Sequence, residues 1–306
     1  MKENGFISQL NEERKILELQ RKFKKKLNTY KLDVVHIHSP ATLGLLGIKY
    51  AKKEGCFLVG TMHSQYKQDF QRAIKSKWLI NFLTKKTTDL YNKCDECFAV
   101  NNEVARIFHE EYGYKKMPKV IKNATDMKLI NKTDKIDKMY DIKKDEKVFL
   151  FVGRINKLKN IFFIADALEK LNSKNINFKY KMLFVGTGQD EKELKKYIEN
   201  KNLNNVIMCG KITDKNLLAE YYARADLFLF PSVYDCSSIV QIEAASQKTP
   251  SLLLKNTATA DTVTDNVNGY LSDNNEEAYA GRIIEIMNNE KQYKEVCENA
   301  YRDIYI

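Results

Sequence analysis

The chain has 306 residues, of which 51 are Lys or Arg and 40 are Asp or Glu, so its formal net charge is +11. Apolar residues make up 43% of the chain, which excludes collagen-like and disordered classes, and the length predicts two domains of ordinary size. No apolar run approaches the ~20 residues that a membrane-spanning helix needs, and we expect no secretion signal at the N-terminus. The six Cys residues include Cys94-x-x-Cys97 without a second such pair, so the sequence predicts a reduced cytoplasmic protein without a zinc site.

Two segments are dense in basic residues, residues 14–31 and residues 72–86 around Trp78. Such clusters suit an anionic partner, namely a phosphate-bearing substrate or an acidic membrane surface. An ordinary solvated surface explains them equally well. Nucleic acid is not expected as a partner, because the chain has neither zinc-finger spacing nor the aromatic strand motif of ribonucleoprotein domains.

Short apolar runs alternate with longer amphipathic stretches along the chain. An amphipathic helix is predicted over residues 6–28 and is followed by ten predicted strands: 33–38, 56–62, 96–100, 119–123, 147–153, 180–186, 205–210, 225–231, 251–255 and 269–272. Helical periodicity is clearest over residues 161–171, 217–225 and 239–247. Continuous apolar strands separated by helices indicate parallel sheets that are covered on both faces, which is an α/β fold.

The strand–helix pattern pauses over the polar, Lys- and Asp-rich segment 127–146 and then starts again. We therefore predict a Rossmann-like domain over residues 1–129, a linker over residues 130–146 and a second Rossmann-like domain over residues 147–306. Neither a strand nor a Gly-rich loop precedes the first predicted strand, and the last residues continue a helical pattern.

The first cationic motif follows the predicted strand 147–153. Gly153-Arg154 ends that strand, and Lys159 precedes a helical pattern. Glycine lets the backbone turn sharply, and the helix N-terminus offers free N–H groups, so the two cations suit a diphosphate. Surface cations after a strand are nevertheless common. The segment Gly186-Thr187-Gly188 lacks the third glycine of the dinucleotide fingerprint, and by itself it indicates a plain strand-to-helix turn.

An acidic motif follows the predicted strand 225–231. Asp235 lies in a small-residue loop, and Glu243 lies about one turn inside a helix that begins near Ser238. Ser237 and Ser238 can cap this helix, which leaves first-turn N–H groups for an anion while the two carboxylates hold sugar or ribose hydroxyls. On this segment alone, the alternative is equally good: Asp235 is then a helix cap and Glu243 a solvated residue.

Together these motifs resemble the retaining nucleotide-sugar glycosyltransferases of family 4, which have the GT-B fold. In the C-terminal half the shared motifs follow the family's order: Gly153-Arg154 with Lys159, Gly186-Thr187-Gly188, Gly210-Lys211-Ile212, Ala225 to Ser232, Glu243-Ala244-Ala245 and Asn268-Gly269-Tyr270-Leu271. The first half fits less specifically, through residues 33–40, 60–64 and 121–126. The resemblance implies an α/β architecture of two Rossmann-like domains that face a central cleft.

The resemblance implies an enzyme that moves a sugar from a nucleoside-diphosphate sugar, with uridine as the default base, to a lipid-linked or polysaccharide acceptor. The anomeric configuration would be retained. No cofactor and no metal are expected, since the chain lacks the Asp-x-Asp pair that the metal-dependent GT-A class uses. The expected partners are the nucleotide-sugar donor and a glycan or lipid acceptor. The implied location is the cytoplasm, with peripheral contact at the inner, anionic face of the membrane.

The resemblance also assigns roles to individual positions. The implied catalytic residues are His63, Arg154, Lys159 and Asp235. The implied donor-binding residues are Gly153, Arg154, Lys159, Gly186, Ile212, Asp235, Ser238, Ile239 and Glu243. In these roles the two cations neutralise the diphosphate, Glu243 contacts the ribose, and Asp235, where the family more often has Glu, contacts the donor sugar.

The resemblance also implies roles for several backbone groups and for one histidine. The backbone of Ile212 would read the base, the amides of Ser238 and Ile239 would lie near the phosphates and the sugar, and His63 would lie near the reacting sugar. His36 and His38 are expected to be structural, with at most one of them facing the crevice.

The sequence leaves two other interpretations open. The family usually begins with a strand and a Gly-rich loop that touches donor and acceptor, and usually ends with a helix that returns to the first domain. Here the loop is missing and the last helix is cut short, so the resemblance implies that the N-terminal domain is incomplete and that the chain is truncated at both ends. The missing Gly-rich loop favours a catalytically inactive or truncated nucleotide-sugar-binding protein, or an accessory subunit. A sugar-nucleotide epimerase of the same fold is the third interpretation, but the acidic pair and the Gly-Arg…Lys motif match transferases better.

Overall fold

The computed structural model describes residue 19 and residues 21–305. The chain divides into two compact units, Met1–Ile121 and Lys122–Ile306, and each is built on one parallel sheet. Of the predicted helix over residues 6–28, residue 19 and residues 21–27 are helical, whereas residues 6–18 and residue 20 lie outside the described residues. Among the described helices, none has the length and apolar character that crossing a bilayer requires.

The first unit contains a four-stranded parallel sheet in the order β1-β2-β3-β4. Its strands are Val34–Ile37 (β1), Phe57–Met62 (β2), Glu96–Ala99 (β3) and Lys119–Val120 (β4). Its helices are Thr42–Glu54 (α1), Tyr66–Ala73 (α2), Lys77–Tyr91 (α3) and Asn102–Arg106 (α4), which continues into the π-helical turn Ile107–Glu111. Because β1 and β2 are parallel neighbours, with Ile37 opposite Gly60, the residues that follow them emerge at the same edge of the sheet.

The second unit contains a six-stranded parallel sheet in the order β10-β9-β8-β5-β6-β7. Its strands are Lys147–Val152 (β5), Tyr180–Val185 (β6), Val206–Gly210 (β7), Leu227–Leu229 (β8), Ser251–Leu254 (β9) and Tyr270–Ser272 (β10). The chain begins this sheet in the middle, builds outward to β7, and then returns to build outward on the other side. This is the doubly wound order of Rossmann folds.

Helices cover the second sheet. They are Lys135–Tyr140 (α5), Ile161–Asn172 (α6), Glu191–Asn200 (α7), Lys215–Arg224 (α8), Ile239–Ser246 (α9), Glu276–Asn288 (α10) and Glu290–Asp303 (α11), with the short 3-10 turns Lys157–Lys159 and Ala258–Thr262. The central strands are apolar on both faces, and Phe149, Phe151 and Phe228 are fully buried. Such strands need helices on each side, which explains the alternation in the sequence.

The structure contains all ten predicted strands, most of them slightly shorter than predicted. The segment predicted as a linker, residues 130–146, is folded onto the second unit. It contains α5, whose Ile136 is buried, and Asp137 forms an ion pair with Arg224. Arg224 also donates to the carbonyl oxygen of Glu146 at 3.0 Å. The polar composition of this segment therefore reflects its exposed side rather than a lack of structure.

Candidate active site

The strand order of the second unit reverses between β5 and β8, which are hydrogen-bonded neighbours. The chain leaves β5 toward one side of the sheet and leaves β8 toward the other, so a crevice forms beyond their carboxyl ends. The loop after β5 carries Gly153, Arg154 and Lys159, and the loop after β8 carries Asp235. The topology therefore brings the cationic and acidic motifs to one edge of the sheet.

Lys159 and Asp235 are in direct contact. The Nζ atom of Lys159 lies 2.5 Å and 2.7 Å from the two carboxylate oxygens of Asp235. The buried Ser232 donates its hydroxyl to Oδ2 of the same carboxylate at 2.6 Å, and the Lys159 ammonium lies 5.6 Å from the centroid of the Phe230 ring. The side chains of Lys159 and Asp235 are only 21% and 18% exposed, so solvent screens this pair less than a surface pair.

The other cation of the motif is placed differently. Arg154 is exposed and pairs with no acidic side chain in the part of the chain that the structure describes. Asn160, whose backbone is left-handed with φ of 57°, donates its side-chain amide to the carbonyl oxygen of Pro231 at 3.1 Å. Because Lys159 and Asn160 both bond to the segment after β8, the loop is fixed at its end while Arg154 remains available to a ligand.

Two glycines allow the loops after β5 and β6 to pack closely. A Cβ atom on Gly186, where φ is 136°, would lie 1.8 Å from the carbonyl oxygen of Gly153. A Cβ atom on Gly188 would lie 2.1 Å from the carbonyl oxygen of Ile155. The backbones also bond directly, from Ile155 N to the Thr187 carbonyl at 3.1 Å. This contact between loops gives the Gly-x-Gly motif a packing role beside the crevice.

Helix α9 begins at the same edge. Ser238 is its N-cap residue and has an extended backbone, but its side chain makes no capping hydrogen bond. The predicted side-chain cap at Ser238 is therefore wrong, and the first N–H groups of the helix have no acceptor from it. Asn123 donates its side-chain amide to the carbonyl oxygen of Ser237 at 3.3 Å. This helix start has the uncapped N–H groups that bind anions in other proteins.

Glu243 lies half-buried on α9. The buried Tyr222 donates its hydroxyl to Oε2 of Glu243 at 3.0 Å. Burial raises the pKa of the Glu243 carboxyl, Asp126 raises it further, and the Tyr222 hydrogen bond and Lys215 lower it. Asp126 and Lys215 are themselves joined by an ion pair of 2.8 Å. The carboxylate keeps lone pairs that can accept hydrogen bonds from hydroxyl groups.

The remaining predicted donor residues are placed as follows. Ile212 comes two residues after β7 and packs, partly buried, against the core of the second unit. The Ile239 side chain is 50% exposed at the start of α9. The roles predicted for Ile212 and Ile239 belong to their backbone groups. Both backbones lie near the carboxyl ends of the strands.

His63 belongs to the first unit, where it follows β2 and is half-buried. Its Nε2 atom lies 2.9 Å from Nδ1 of His38, and Nε2 of His36 lies 2.7 Å from the hydroxyl of Thr61. The rings of His36 and His38 are 4.1 Å apart between centroids. Residues two apart on a strand share a face, so strand geometry gives no reason to expect that at most one of these two rings faces the crevice.

Two contacts in these sites lie outside the predicted site residues. His38 contacts His63, and this contact depends on the parallel pairing of β1 with β2, which the sequence pattern does not give. Ser232 bonds to Asp235, and a hydroxyl three residues before a loop carboxylate is a spacing typical of turns. Among the described residues, no group of three or more His, Cys, Asp or Glu side chains is placed to hold a metal ion.

The chain matches two family models along nearly its whole length. Residues 132–303 match Glycosyl transferases group 1, and residues 5–129 match Glycosyltransferase Family 4. An alpha-monoglucosyldiacylglycerol synthase from Acholeplasma laidlawii is 27% identical over 295 residues, which are 92% of this chain and 73% of that protein. The Escherichia coli UDP-Gal:alpha-D-GlcNAc-diphosphoundecaprenol alpha-1,3-galactosyltransferase is 28% identical over 257 residues, which are 81% of this chain and 63% of that protein.

Solved structures show the same fold. Anabaena HepE in complex with UDP and glucose superposes with a TM-score of 0.77 at 18% identity, covering 94% of this chain and 78% of that one. Sucrose-phosphate synthase from Thermosynechococcus elongatus gives a TM-score of 0.78 at 20% identity, covering 94% of this chain and 72% of that one. These likenesses confirm the predicted fold of two parallel-sheet α/β domains. With more than half of its residues matched to one family model, the chain belongs to the glycosyl transferases group 1 family and is a glycosyltransferase.

Proposed function

We propose that this protein transfers a sugar from a UDP-sugar to a membrane-lipid or lipid-linked glycan acceptor, with retention of the anomeric configuration and without a metal ion. The observation that carries the proposal is the Lys159–Asp235 pair at the point where the sheet order reverses. In that crevice the diphosphate of a donor would contact Arg154, Lys159 and the start of α9. Asp235 and Glu243 would accept hydrogen bonds from hydroxyl groups of the donor.

Charge stabilisation is the main chemical requirement of this transfer. When the glycosidic bond of the donor breaks, negative charge develops on the departing diphosphate. Lys159, Arg154 and the first N–H groups of α9 would supply the compensating positive charge, with each charge-assisted hydrogen bond contributing roughly 1.5–3 kcal/mol. These groups do what a bound metal does in other transferases, which supports metal independence.

The acids would bind the neutral parts of the donor. Glu243, held by Tyr222, would accept hydrogen bonds from the ribose hydroxyls, and the backbone of Ile212 would read the base. Asp235 would bind a sugar hydroxyl next to the ammonium that it holds. His63 of the first unit would contact the reacting sugar. The E. coli relative, whose name specifies UDP-Gal, supports uridine as the base.

The acceptor proposal rests on the relatives and on one surface of the first unit. Both named relatives carry a lipid in their names, as a diacylglycerol or a diphosphoundecaprenol. On α3, Trp78 is 74% exposed and stacks on Phe82 at 5.6 Å between centroids, with the Lys86 ammonium 5.5 Å from the Phe82 centroid. Lys75, Lys77 and Lys85 are also exposed. Exposed aromatic rings among lysines suit the interface of an anionic membrane.

The transfer is tested with the purified full chain. Radiolabelled UDP-glucose, UDP-galactose, UDP-GlcNAc and GDP-mannose are each incubated with vesicles that contain diacylglycerol or a polyprenyl-diphosphate-linked GlcNAc. We expect lipid-linked product from a UDP-sugar, unchanged by EDTA, with an α-linkage by proton NMR when the donor is α. Loss of product in EDTA contradicts metal independence, and a β-linked product contradicts retention. Calorimetric binding of UDP-sugar without product from any acceptor favours the accessory-subunit alternative.

The membrane contact is tested through Trp78, the single tryptophan of the chain. We expect its fluorescence to shift to shorter wavelength with phosphatidylglycerol vesicles and not with phosphatidylcholine vesicles. Lys75→Glu with Lys77→Glu should abolish the shift. Lys192→Glu with Lys195→Glu, which changes the same charge on α7, should leave it intact. A shift that is equal in all proteins and vesicles contradicts the proposed contact.

A further inference from the structure

We propose that His38 is a positioning residue for the transfer, because it holds the ring of His63 in one tautomer and one orientation. The inference rests on the proposed function, in which His63 contacts the reacting sugar. Neither the family motifs nor the strand pattern assigns this role to His38.

The sheet of the first unit builds the contact. His36 and His38 lie two residues apart on the same face at the end of β1, and His63 directly follows β2, the parallel neighbour. Nδ1 of His38 lies 2.9 Å from Nε2 of His63, at the distance of a hydrogen bond. The ring of His36, 4.1 Å from His38 between centroids, is itself bonded through Nε2 to the Thr61 hydroxyl at 2.7 Å.

This hydrogen bond restricts the chemistry of His63. One of the two ring nitrogens must donate and the other must accept, so His38 and His63 cannot both be fully protonated while the bond exists. Because Nε2 of His63 is engaged, Nδ1 is the nitrogen left for a ligand. If His63 donates the shared proton from Nε2, its Nδ1 can only accept a hydrogen bond. If His38 donates it, the proton of neutral His63 is on Nδ1, which then donates. His38 thus decides what His63 presents at its other nitrogen.

The surroundings favour a neutral His63. Burial lowers the pKa of His63, and the neighbouring rings of His38 and His36 lower it further. Burial and His38 also lower the pKa of His36. The ionisable groups whose charges act on His63 are His38, directly after β1, and His36 within it. A positive charge on the His63 ring is therefore disfavoured, which agrees with a ring that works through a fixed hydrogen bond.

The direct test is nitrogen-15 NMR of the histidine rings in the full chain. The protein has four histidines, and His109, which bonds to the Tyr114 carbonyl, is a reference outside the cluster. We expect His63 to show a single tautomer at pH 7.5. In His38→Leu we expect two tautomers in exchange and a pKa of His63 closer to the ordinary histidine value. In His38→Asn, whose amide can occupy the place of Nδ1, we expect the single tautomer to return.

The kinetic test separates positioning from binding. We expect His38→Leu to lower kcat at least tenfold while the donor KM changes less than twofold, and His38→Asn to keep kcat within about threefold of the wild type. His109→Asn should match the wild type in both. Circular dichroism confirms that each variant is folded; His38 is exposed, so its replacement removes no core contact.

If the wild type is an active transferase, three results would overturn the proposal. They are an unchanged tautomer and pKa of His63 in His38→Leu, a lost tautomer with unchanged kcat, and an equal loss of kcat in His38→Leu and His38→Asn. The wild type could instead show the expected NMR pattern but no transferase activity. That result contradicts the proposed function and refutes the positioning role, but it establishes the hydrogen bond between His38 and His63.

Discussion

Lys159 and Asp235 are separated by 76 positions in the chain, yet the ammonium of Lys159 contacts both carboxylate oxygens of Asp235. The contact arises because β5 and β8 are parallel neighbours and end at the same edge of the sheet. Ser232 donates a further hydrogen bond to the same carboxylate. The cation is therefore in place before a donor arrives, and electrostatic catalysis depends on this kind of preorganisation.

Replacement of Lys159 tests the proposed role of this cation. We expect Lys159→Ala to lower kcat by about 100-fold, because a preorganised charge at a developing anion contributes that much in other enzymes. Initial rates of sugar transfer measure the loss. Lys157→Ala is the matched control, since Lys157 lies on the same 3-10 turn but pairs with Glu193 at the surface. An unimpaired Lys159→Ala enzyme refutes the assignment.

Glu243 provides a prediction in which stability and binding change in opposite directions. Burial raises the pKa of its carboxyl, so the folded state binds this proton more tightly than the unfolded state does. Stability therefore falls as pH rises from the unfolded pKa through the raised folded pKa. We expect Glu243→Gln, which keeps an acceptor for Tyr222, to unfold at a higher temperature than the wild type at pH 7.5 and at the same temperature below pH ~4.

The same variant should bind donor less well. We expect about a tenfold higher donor KM, because a neutral amide replaces a charged acceptor for the ribose hydroxyls. Thermal scans across pH and initial rates measure the two effects. Glu199→Gln, at an exposed position of α7, is the control and should change neither. A Glu243→Gln protein that is less stable at pH 7.5 would show that burial does not dominate at this site.

Because the loops after β5 and β6 pack closely, we expect substitution of Gly188 to destabilise the protein and substitution of Gly281 not to do so. Gly188→Ala would place a Cβ atom 2.1 Å from the Ile155 carbonyl oxygen, so the loops must separate. We expect a loss of about 1–3 kcal/mol in the free energy of unfolding, together with weaker donor binding. Urea denaturation and calorimetry measure both quantities.

Gly281→Ala is the control for this prediction. Gly281 lies inside α10, and a Cβ atom there would meet nothing within 4 Å. We expect it to stabilise the protein by about 0.5–1 kcal/mol, because alanine favours the helix. If the two substitutions had equal effects, packing between the loops would not explain the Gly-x-Gly motif.

Gln247 should stabilise the packing of the segment before α5 against the rest of the second unit. Its buried side chain accepts from the Ile130 N–H at 3.1 Å and donates to the Lys128 carbonyl at 2.8 Å. Gln247→Leu would leave both backbone groups without this partner, and we expect a loss of about 1–3 kcal/mol in the free energy of unfolding by urea denaturation. Gln71→Leu, at an exposed position of α2, should be nearly neutral. Hydrogen exchange at Ile130 that is equally slow in wild type and Gln247→Leu would contradict the contact.

Local patterns in the sequence determine the elements of this protein and the chemistry that they carry. Apolar runs bounded by glycine or polar residues predict the ten strands, because a strand buried on both faces has no other composition available. Ordered motifs, from Gly153-Arg154 to Glu243, indicate the glycosyltransferase family. These features depend on near neighbours in the chain, so they can be read without a structure.

Contacts between distant residues were decided only by the tertiary structure. The sequence does not show that Lys159 bonds to Asp235, that Ser232 supports this carboxylate, or that the polar segment 130–146 packs on the second unit. Such contacts depend on strand order and register, which are set by the packing of whole elements rather than by the residues within one element. The hydrogen bond between His38 and His63 has the same origin, since it exists only because β1 and β2 lie side by side.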